Sequence, residues 1–301
     1  MTRKVAMIQL SMEQCWTENG FYRYIESYVK ESKAKGAEIV VFPEDIGFCI
    51  AWVKESKRIE NIKQNIEMEE LSIKSDFENF IDWIILKLNL RAMGEWLAQA
   101  VISRIVRRVF AILADKYAVV IVSGSIYARK LDGIYAVSYV FDVDGRLVGE
   151  FEKHKLVSIE ESWGVKVGRT NKPIKTSLGN IGVCICYDLD DAEFIKLIAD
   201  NGADFIVAPS GGFRPYPNYP FDFAKETPQI QRAKENNIFV LRPYCAGWIF
   251  PGLYFQGRTM AVDNTGKVIV ESKSKDNGEV IVVDVEMKHL ADLNSYQHLD
   301  Q

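Results

Sequence analysis

Apolar, β-branched runs recur along this chain, and each one stops at a turn or at a polar residue. Examples are "KVAMIQL" (4–10), "AEIVVFPE" (37–44), "YAVVIVSGSIY" (117–127), "IGVCI" (181–185) and "EVIVVDVE" (279–286). Runs of this length that are rich in Val and Ile are typical of β-strands. The sequence therefore predicts buried sheets as the centre of the fold, with helices covering them.

Helical patterns interrupt the strands at intervals. They occupy 21–36, about 76–116, 191–201 and 223–236, and the second of them has a core-facing side formed by Leu97, Val101, Ile105 and Val109. Several neighbouring strands are joined by tight turns, such as "DVDG" (142–145). The sequence predicts a mixed α/β fold in one domain over 1–286, followed by a C-terminal tail at 287–301.

Composition limits what the protein can bind. The 301 residues are 48% hydrophobic and carry a formal net charge of −4, so no general field attracts nucleic acid. We expect no signal peptide, because the apolar stretch at the start is too short. The five cysteines are an odd number with irregular spacing, which indicates free thiols in a reducing, cytoplasmic setting. No cysteines stand at zinc-ligand spacing, so we expect no metal site.

Three ionisable residues stand at the ends of predicted strands. Glu44 follows Pro43, Lys153 follows "LVGEFE", and Cys186 follows "IGVCI". A thiol needs a base before it becomes a nucleophile, and a carboxylate can serve. A lysine can stabilise the oxyanion that forms when a thiolate attacks a carbonyl. Strand position alone leaves the ordinary alternatives open: a core cysteine, a solvated glutamate and a surface lysine.

Three motifs occur in an order that favours the catalytic alternative. The segments "VVFPED" (40–45), "FEKHKLVSIEE" (151–161) and "IGVCICYDLDDAE" (181–193) resemble the catalytic motifs of the nitrilase (carbon–nitrogen hydrolase) superfamily. The resemblance extends to "GADFIVAPSGG" (202–212) and covers nearly the whole chain except about 53–95. It implies a four-layer αββα sandwich that pairs with a second copy, giving a homo-oligomer of at least two subunits.

The resemblance implies a nucleophile and a base. It makes Glu44 the general base and Cys186 the nucleophile. Cys184 is the weaker candidate, because Tyr187 and Asp188 directly follow Cys186 as in the family motif.

The resemblance also implies an oxyanion lysine with a supporting acid. Lys153 fits the lysine position because Leu156 follows it at the family spacing, and Lys155 is the runner-up. A second glutamate often supports this lysine, and Glu161 fits that position better than its neighbour Glu160. In the implied mechanism, Lys153 and the Tyr187 backbone N–H stabilise the oxyanion, and no metal or organic cofactor is needed.

The residues around the nucleophile resemble the amidase branches rather than the cyanide-cleaving nitrilases. Those branches usually place an arginine where this chain has Asp190, and a guanidinium suits a substrate carboxylate. The absence of this arginine weakens the case for a dicarboxylate monoamide as the substrate, although Arg214 and Arg242 are possible substitutes for it. The implied activity is hydrolysis of a small, non-peptide amide. The alternatives are a nitrilase, an N-carbamoyl hydrolase, an acyltransferase using the same three groups, and a non-catalytic scaffold.

The segment 53–95 is longer than the connection the family usually has. Within it, a helical apolar face is formed by Phe77, Phe80, Ile81, Ile84, Ile85 and Leu88. Charged residues interrupt this face, so it is unsuited to spanning a bilayer. An inserted helix packed on its own domain, a substrate lid or a subunit contact would each cover it. Membrane-surface contact through 77–90 is the least favoured alternative, because the polar face is not basic enough.

We predict that the insertion acts on substrate choice or assembly and not on the chemistry, because it begins within one loop of Glu44. Replacing 60–90 with a short Gly/Ser linker should change the amide profile or the mass in solution, while Cys186 still reacts with a small electrophile. An unchanged profile together with an unchanged mass would show a local decoration only. Loss of binding to anionic vesicles in the deletion variant would favour the membrane-surface interpretation.

Overall fold

The computed structural model describes residues 1–12, 17–50, 96–214, 228–250 and 253–288. Its helices are α1 (Glu18–Ala34), α2 (Trp96–Tyr117), α3 (Ser158–Ser162), α4 (Ala192–Asp200) and α5 (Pro228–Asn236), with a 3₁₀ turn at Cys186–Asp190. Its strands are β1 (Thr2–Ser11), β2 (Ile39–Val41), β3 (Val120–Lys130), β4 (Gly133–Phe141), β5 (Leu147–Glu152), β6 (Ile174–Thr176), β7 (Gly179–Val183), β8 (Phe205–Val207), β9 (Phe213–Arg214), β10 (Val240–Arg242), β11 (Cys245–Phe250), β12 (Leu253–Phe255), β13 (Met260–Val262), β14 (Val268–Glu271) and β15 (Glu279–Glu286).

The first sheet is organised around β1. Strand β2 pairs with it in parallel, while β15 pairs with it antiparallel from Thr2↔Glu286 to Gln9↔Glu279. After Gln9, β1 pairs in parallel with β11, beginning at Leu10↔Cys245. The full order is β5-β4-β3-β2-β1-β11-β12-β9, with β15 paired to β1. This arrangement places the ends of β2 and β5, which precede two of the candidate residues, in the same sheet.

The second sheet has the order β14-β13-β10-β8-β7-β6. Its three central strands, β7, β8 and β10, run parallel to one another. Because parallel strands end at the same edge of a sheet, the residues after Val183 and Val207 meet those at the end of β10. This shared edge is where the third candidate residue lies.

The sandwich has four layers, as the sequence predicts. Alternate residues of β1, such as Val5 and Met7, pack in one cluster with Val183 and Val207 of the second sheet. The residues between them pack in another cluster with α1 and α2. On the far side, α4 lies against β7, since a β-carbon on Gly182 would sit 2.8 Å from Ile198 Cγ2. Strands buried on both faces explain the continuous apolar runs.

Two expectations about helices are only partly met. The long helix begins at Trp96 in the described part of the chain, and the inserted segment 53–95 lies outside the described residues, as does the tail beyond 288. On α2, Val109 is buried but Val101 is 43% exposed, while Val106 and Phe110 complete the buried face. A spacing of four residues drifts by about 40° per step around a helix of 3.6 residues per turn, so a stripe at that spacing leaves the core.

No helix in the described ranges is both long and apolar enough to cross a membrane.

Gly124 lies against the backbone of Pro43, the residue before Glu44. This close approach predicts how substitutions of Gly124 change the free energy of unfolding. A β-carbon on Gly124 would lie 1.9 Å from the Pro43 carbonyl oxygen, and its φ is +73°. Gly164 has a φ of +74° with nothing within 4 Å of such a β-carbon. We expect Gly164→Ala to cost about 1–2 kcal/mol for the left-handed backbone alone. Gly124→Ala should cost clearly more, because the Pro43 backbone has to move. Equal losses of unfolding free energy in chemical denaturation would contradict this.

Candidate active site

Glu44 is held in place by its loop and by the loop that follows β8. Its side chain is 5% exposed, and its Oε2 accepts a hydrogen bond from the Gly211 N–H at 2.8 Å. The Asp45 N–H next in the chain donates to Ser125 Oγ at 3.2 Å. The carboxylate is therefore fixed between the two sheets, where water has little access.

Lys153 follows β5 and is 2% exposed. Its ammonium lies 2.8 Å from Glu44 Oε1 and 2.8 Å from Glu160 Oε1. Burial opposes the charge of Lys153, but the two carboxylates outweigh burial and raise its pKa well above the ordinary value. Lys153 is thus a fixed positive charge in the middle of the site.

Cys186 lies at the shared edge of the second sheet, just after β7. It begins the 3₁₀ turn with a φ of 48°, and its N–H donates to the Pro209 carbonyl at 2.9 Å. Burial raises the pKa of its thiol to about 12, and the charge of Glu44 and a hydrogen bond with Glu44 add to this, while Lys153 and Arg242 oppose it. The resting group is a neutral thiol beside a carboxylate.

The neighbouring Cys184 has a different environment. It is 0% exposed, its Sγ points at the Val207 carbonyl, 3.6 Å away, and burial raises its pKa well above the ordinary value. Cys184, Cys186 and Cys245 form no disulfide among the described residues, and Cys15 lies outside them. The cytoplasmic setting stays a prediction.

The supporting glutamate differs from the one expected. The sequence favoured Glu161, but Glu161 is exposed and Glu160 is the residue buried against Lys153. Glu160 also accepts from the Tyr127 hydroxyl at 3.2 Å and from the Val157 N–H at 2.9 Å. Successive helical residues point about 100° apart, so on α3 only one of the two glutamates reaches the lysine. Glu160, and not the expected Glu161, is therefore the second glutamate that contacts Lys153.

The other two candidates lie at the mouth of the site. Tyr187 is 38% exposed beside Cys186, and its role through the backbone N–H stays a prediction. Lys155 holds its ammonium 4.7 Å from the centroid of the Tyr187 ring. Lys155 therefore lies outside the buried cluster that Lys153 occupies.

Asp188 joins the two segments that carry the lysine and the cysteine. Its Oδ1 accepts from the His154 N–H at 3.0 Å and the Lys155 N–H at 2.6 Å, and its Oδ2 accepts from the Ile185 N–H at 2.7 Å. Burial raises its pKa to about 7, although these N–H groups act in the opposite direction. Sequence reasoning used Asp188 only to choose between two cysteines. The sequence signal that could have identified Asp188 was its position two residues after Cys186.

Asp45 is a second residue that sequence reasoning did not single out. It is 7% exposed, and its Oδ1 has no hydrogen-bond partner among the described residues. Burial and the neighbouring Glu44 raise its pKa well above the ordinary value, with Lys153 acting against them. The carboxyl groups of Asp45, Glu44 and Glu160 thus all lie near the single ammonium of Lys153. One positive charge among three carboxyl groups favours a protonated, neutral Asp45.

Known proteins resemble this chain in sequence. Residues 4–294 match the family model described as carbon-nitrogen hydrolase. The chain is 28% identical over 56% of its length to the omega-amidase NIT3 of Saccharomyces cerevisiae and 24% identical over 68% to the probable hydrolase YhcX of Bacillus subtilis. It spans 60% and 34% of the lengths of those two proteins.

A solved structure shows the same fold. It is a mutant amidase from Nesterenkonia sp. AN1 with the acetamide moiety of fluoroacetamide added covalently at the active-site cysteine. Its TM-score is 0.67 at 15% identity, and the match covers 98% of this chain and 96% of that one.

Proposed function

Since this chain belongs to the carbon–nitrogen hydrolase family, we propose that it hydrolyses a non-peptide amide of a small molecule through Cys186, Glu44 and Lys153. One observation carries the proposal. The Glu44 carboxylate lies 2.8 Å from the Lys153 ammonium, and the charges of both groups act on the Cys186 thiol. A nucleophile, a buried base and a fixed positive charge thus lie close together. The omega-amidase among the relatives supports an amide as the bond that is cleaved.

The first half of the reaction forms a thioester. Because burial and the charge of Glu44 raise the pKa of the Cys186 thiol to about 12, the thiol is neutral at pH 7. Glu44 therefore removes the proton as Cys186 Sγ attacks the amide carbon. The negative charge moves to the amide oxygen, where Lys153 stabilises it without having to reorient. Glu44 then returns the proton to the leaving nitrogen as the C–N bond breaks.

The second half releases the acid. Glu44 takes a proton from water, and the resulting hydroxide attacks the thioester carbon. The C–S bond breaks, Glu44 returns the proton to the thiol, and the products are a carboxylic acid, which ionises in water, and ammonia or an amine. Glu160 does not contact the reacting atoms in this scheme and positions Lys153. Assembly into at least a dimer, which the resemblance implies, is part of the proposal and is measurable as the mass in solution.

The nucleophile is tested by substitution and by labelling. Cys186→Ala should abolish ammonia release from a panel of simple amides, carbamoyl compounds and nitriles. Brief iodoacetamide treatment followed by peptide mass spectrometry should label Cys186 before Cys184, because Cys184 is sealed inside the sheet. Cys184→Ala serves as the matched control and should retain turnover. Full activity in Cys186→Ala would end the proposal, and a carbamoyl compound or a nitrile as best substrate would reassign the reaction.

The oxyanion lysine is tested against its neighbour. Lys153→Ala should lower kcat by about 100-fold or more, the scale of losing one oxyanion donor. Lys155→Ala should have a much smaller effect, because its ammonium lies over the Tyr187 ring and not beside Glu44. Circular dichroism has to show that Lys153→Ala is folded, since the variant leaves Glu44 and Glu160 buried without the ammonium that balances their charge. The reverse ranking of the two variants would refute the assignment.

A further inference from the structure

Tyr127 lies in the same row of the first sheet as Lys153. It pairs with Ala136 between β3 and β4, and the Lys153 N–H donates to the Ala136 carbonyl at 2.9 Å. Residues directly opposite one another on neighbouring strands point to the same face of a sheet. The side chains of Tyr127 and Lys153 therefore face the same side, with only the small side chain of Ala136 between them in the row.

The Tyr127 hydroxyl contacts the carboxylate that holds this lysine. It donates to Glu160 Oε1 at 3.2 Å, and the Lys153 ammonium donates to the same oxygen at 2.8 Å. The other carboxylate oxygen, Oε2, accepts from the Val157 N–H at 2.9 Å. Glu160 thus has three donors, which fix the direction of its carboxylate and favour its ionised form.

The Tyr127 hydroxyl keeps its proton and so remains a donor. Burial raises the pKa of this hydroxyl well above its ordinary value, and the charges of Glu160, Asp45 and Glu44 add to this. The support that Glu160 receives from Tyr127 is therefore present throughout the neutral pH range.

The two carboxylates that contact Lys153 differ in their other donors. Glu44 and Glu160 each lie 2.8 Å from the ammonium, and Glu44 accepts one further hydrogen bond from the Gly211 N–H. Donors to an ionised carboxylate make it a poorer acceptor of a proton, so the Tyr127 hydroxyl disfavours proton uptake by Glu160. An ionised Glu160 also keeps a negative charge near Glu44, and a like charge favours proton uptake there.

We propose that Tyr127 is a positioning residue, because its hydroxyl keeps Glu160 ionised and aligned on Lys153. Glu44 is then the carboxylate that receives the proton of the nucleophile. This inference rests on the proposed amide hydrolysis and adds a residue to it. Tyr127 does not contact the reacting atoms in this scheme, and it neither gains nor loses a proton.

The pH dependence of turnover follows from this contact. Burial raises the pKa of Glu160, while the charge of Lys153 lowers it and the charge of Glu44 raises it. Asp45 also interacts with Glu160. Removing the Tyr127 hydroxyl takes a donor from the ionised form, so Glu160 should become protonated at a higher pH. The acid limb of the kcat profile should therefore move to higher pH in Tyr127→Phe.

The test removes only the hydroxyl. Tyr127→Phe keeps the ring that packs against Trp163 at 5.6 Å between centroids, so it should melt close to the wild-type temperature. Its kcat for ammonia release from simple amides should fall by about 10-fold, the scale of one hydrogen bond to a charged group, with KM nearly unchanged. Tyr135→Phe is the matched control, because its hydroxyl donates to Asp132 at 2.9 Å, and it should keep the wild-type kcat and acid limb.

A double-mutant cycle separates positioning from a general structural role. Glu160→Gln removes the charge that Tyr127 supports, so adding Tyr127→Phe to it should lower kcat little further. A full additional 10-fold loss in that background would overturn the proposal. A wild-type kcat and acid limb in Tyr127→Phe, or equal losses in Tyr135→Phe, would overturn it too.

An infrared titration makes the result independent of turnover. The carboxylic-acid C=O band of Glu160 is identified as the band that is missing in Glu160→Gln. As the pH is lowered, this band should appear at a higher pH in Tyr127→Phe than in the wild type. The same pH in both proteins would overturn the role of Tyr127 and leave the hydrolase proposal standing. No ammonia from any amide would refute the hydrolase proposal, and the infrared titration would still decide whether Tyr127 supports Glu160.

Discussion

The buried contact of Lys153 with Glu44 and Glu160 is the interaction on which the site depends. It joins the loop after β2, the end of β5 and the short helix α3, and Glu44 and Lys153 are 109 positions apart in sequence. Removing three charged groups from water is expensive, and the hydrogen bonds among them repay that cost only when all three are present. The same arrangement that stabilises the folded chain gives the chemistry a charge that is already in position.

The sandwich explains how such a cluster can be buried at all. Strand β2 brings Glu44 from one sheet, and the edge formed by β7, β8 and β10 brings Cys186 from the other. Asp188 then locks the turn of Cys186 to the backbone after Lys153 through three N–H donors. The relative position of Cys186 and Lys153 is therefore set by one buried carboxylate that binds backbone N–H groups of both segments, which is the preorganisation that the proposed oxyanion stabilisation needs.

The sequence predicted the strands for a physical reason, and Glu44, Lys153 and Cys186 follow strand ends as expected, while their catalytic roles stay a prediction. Strands buried on both faces leave continuous apolar runs, and the polar residue that ends each run marks the sheet edge. The choice between Glu160 and Glu161 failed because a helix of five residues has too few turns to reveal which face is buried. Asp188 and Asp45 were not assigned catalytic or positioning roles, because the contacts that place them, with the backbone after Lys153 and with Ser125, join segments distant in sequence. Arg214 is described only through its backbone, so its part in the site stays open as a prediction.

The pairing of β15 along β1 has a consequence for how the molecule forms. These neighbours in the middle of the first sheet come from opposite ends of the sequence, and the Lys4–Asp284 contact across them spans 280 positions. During synthesis, β1 emerges before β15, and the residues between them have to be made before this partner is available. Contacts of such long sequence separation slow folding, and a waiting strand edge is open to other chains. The chain is thus most exposed to aggregation during synthesis, before β15 pairs with β1.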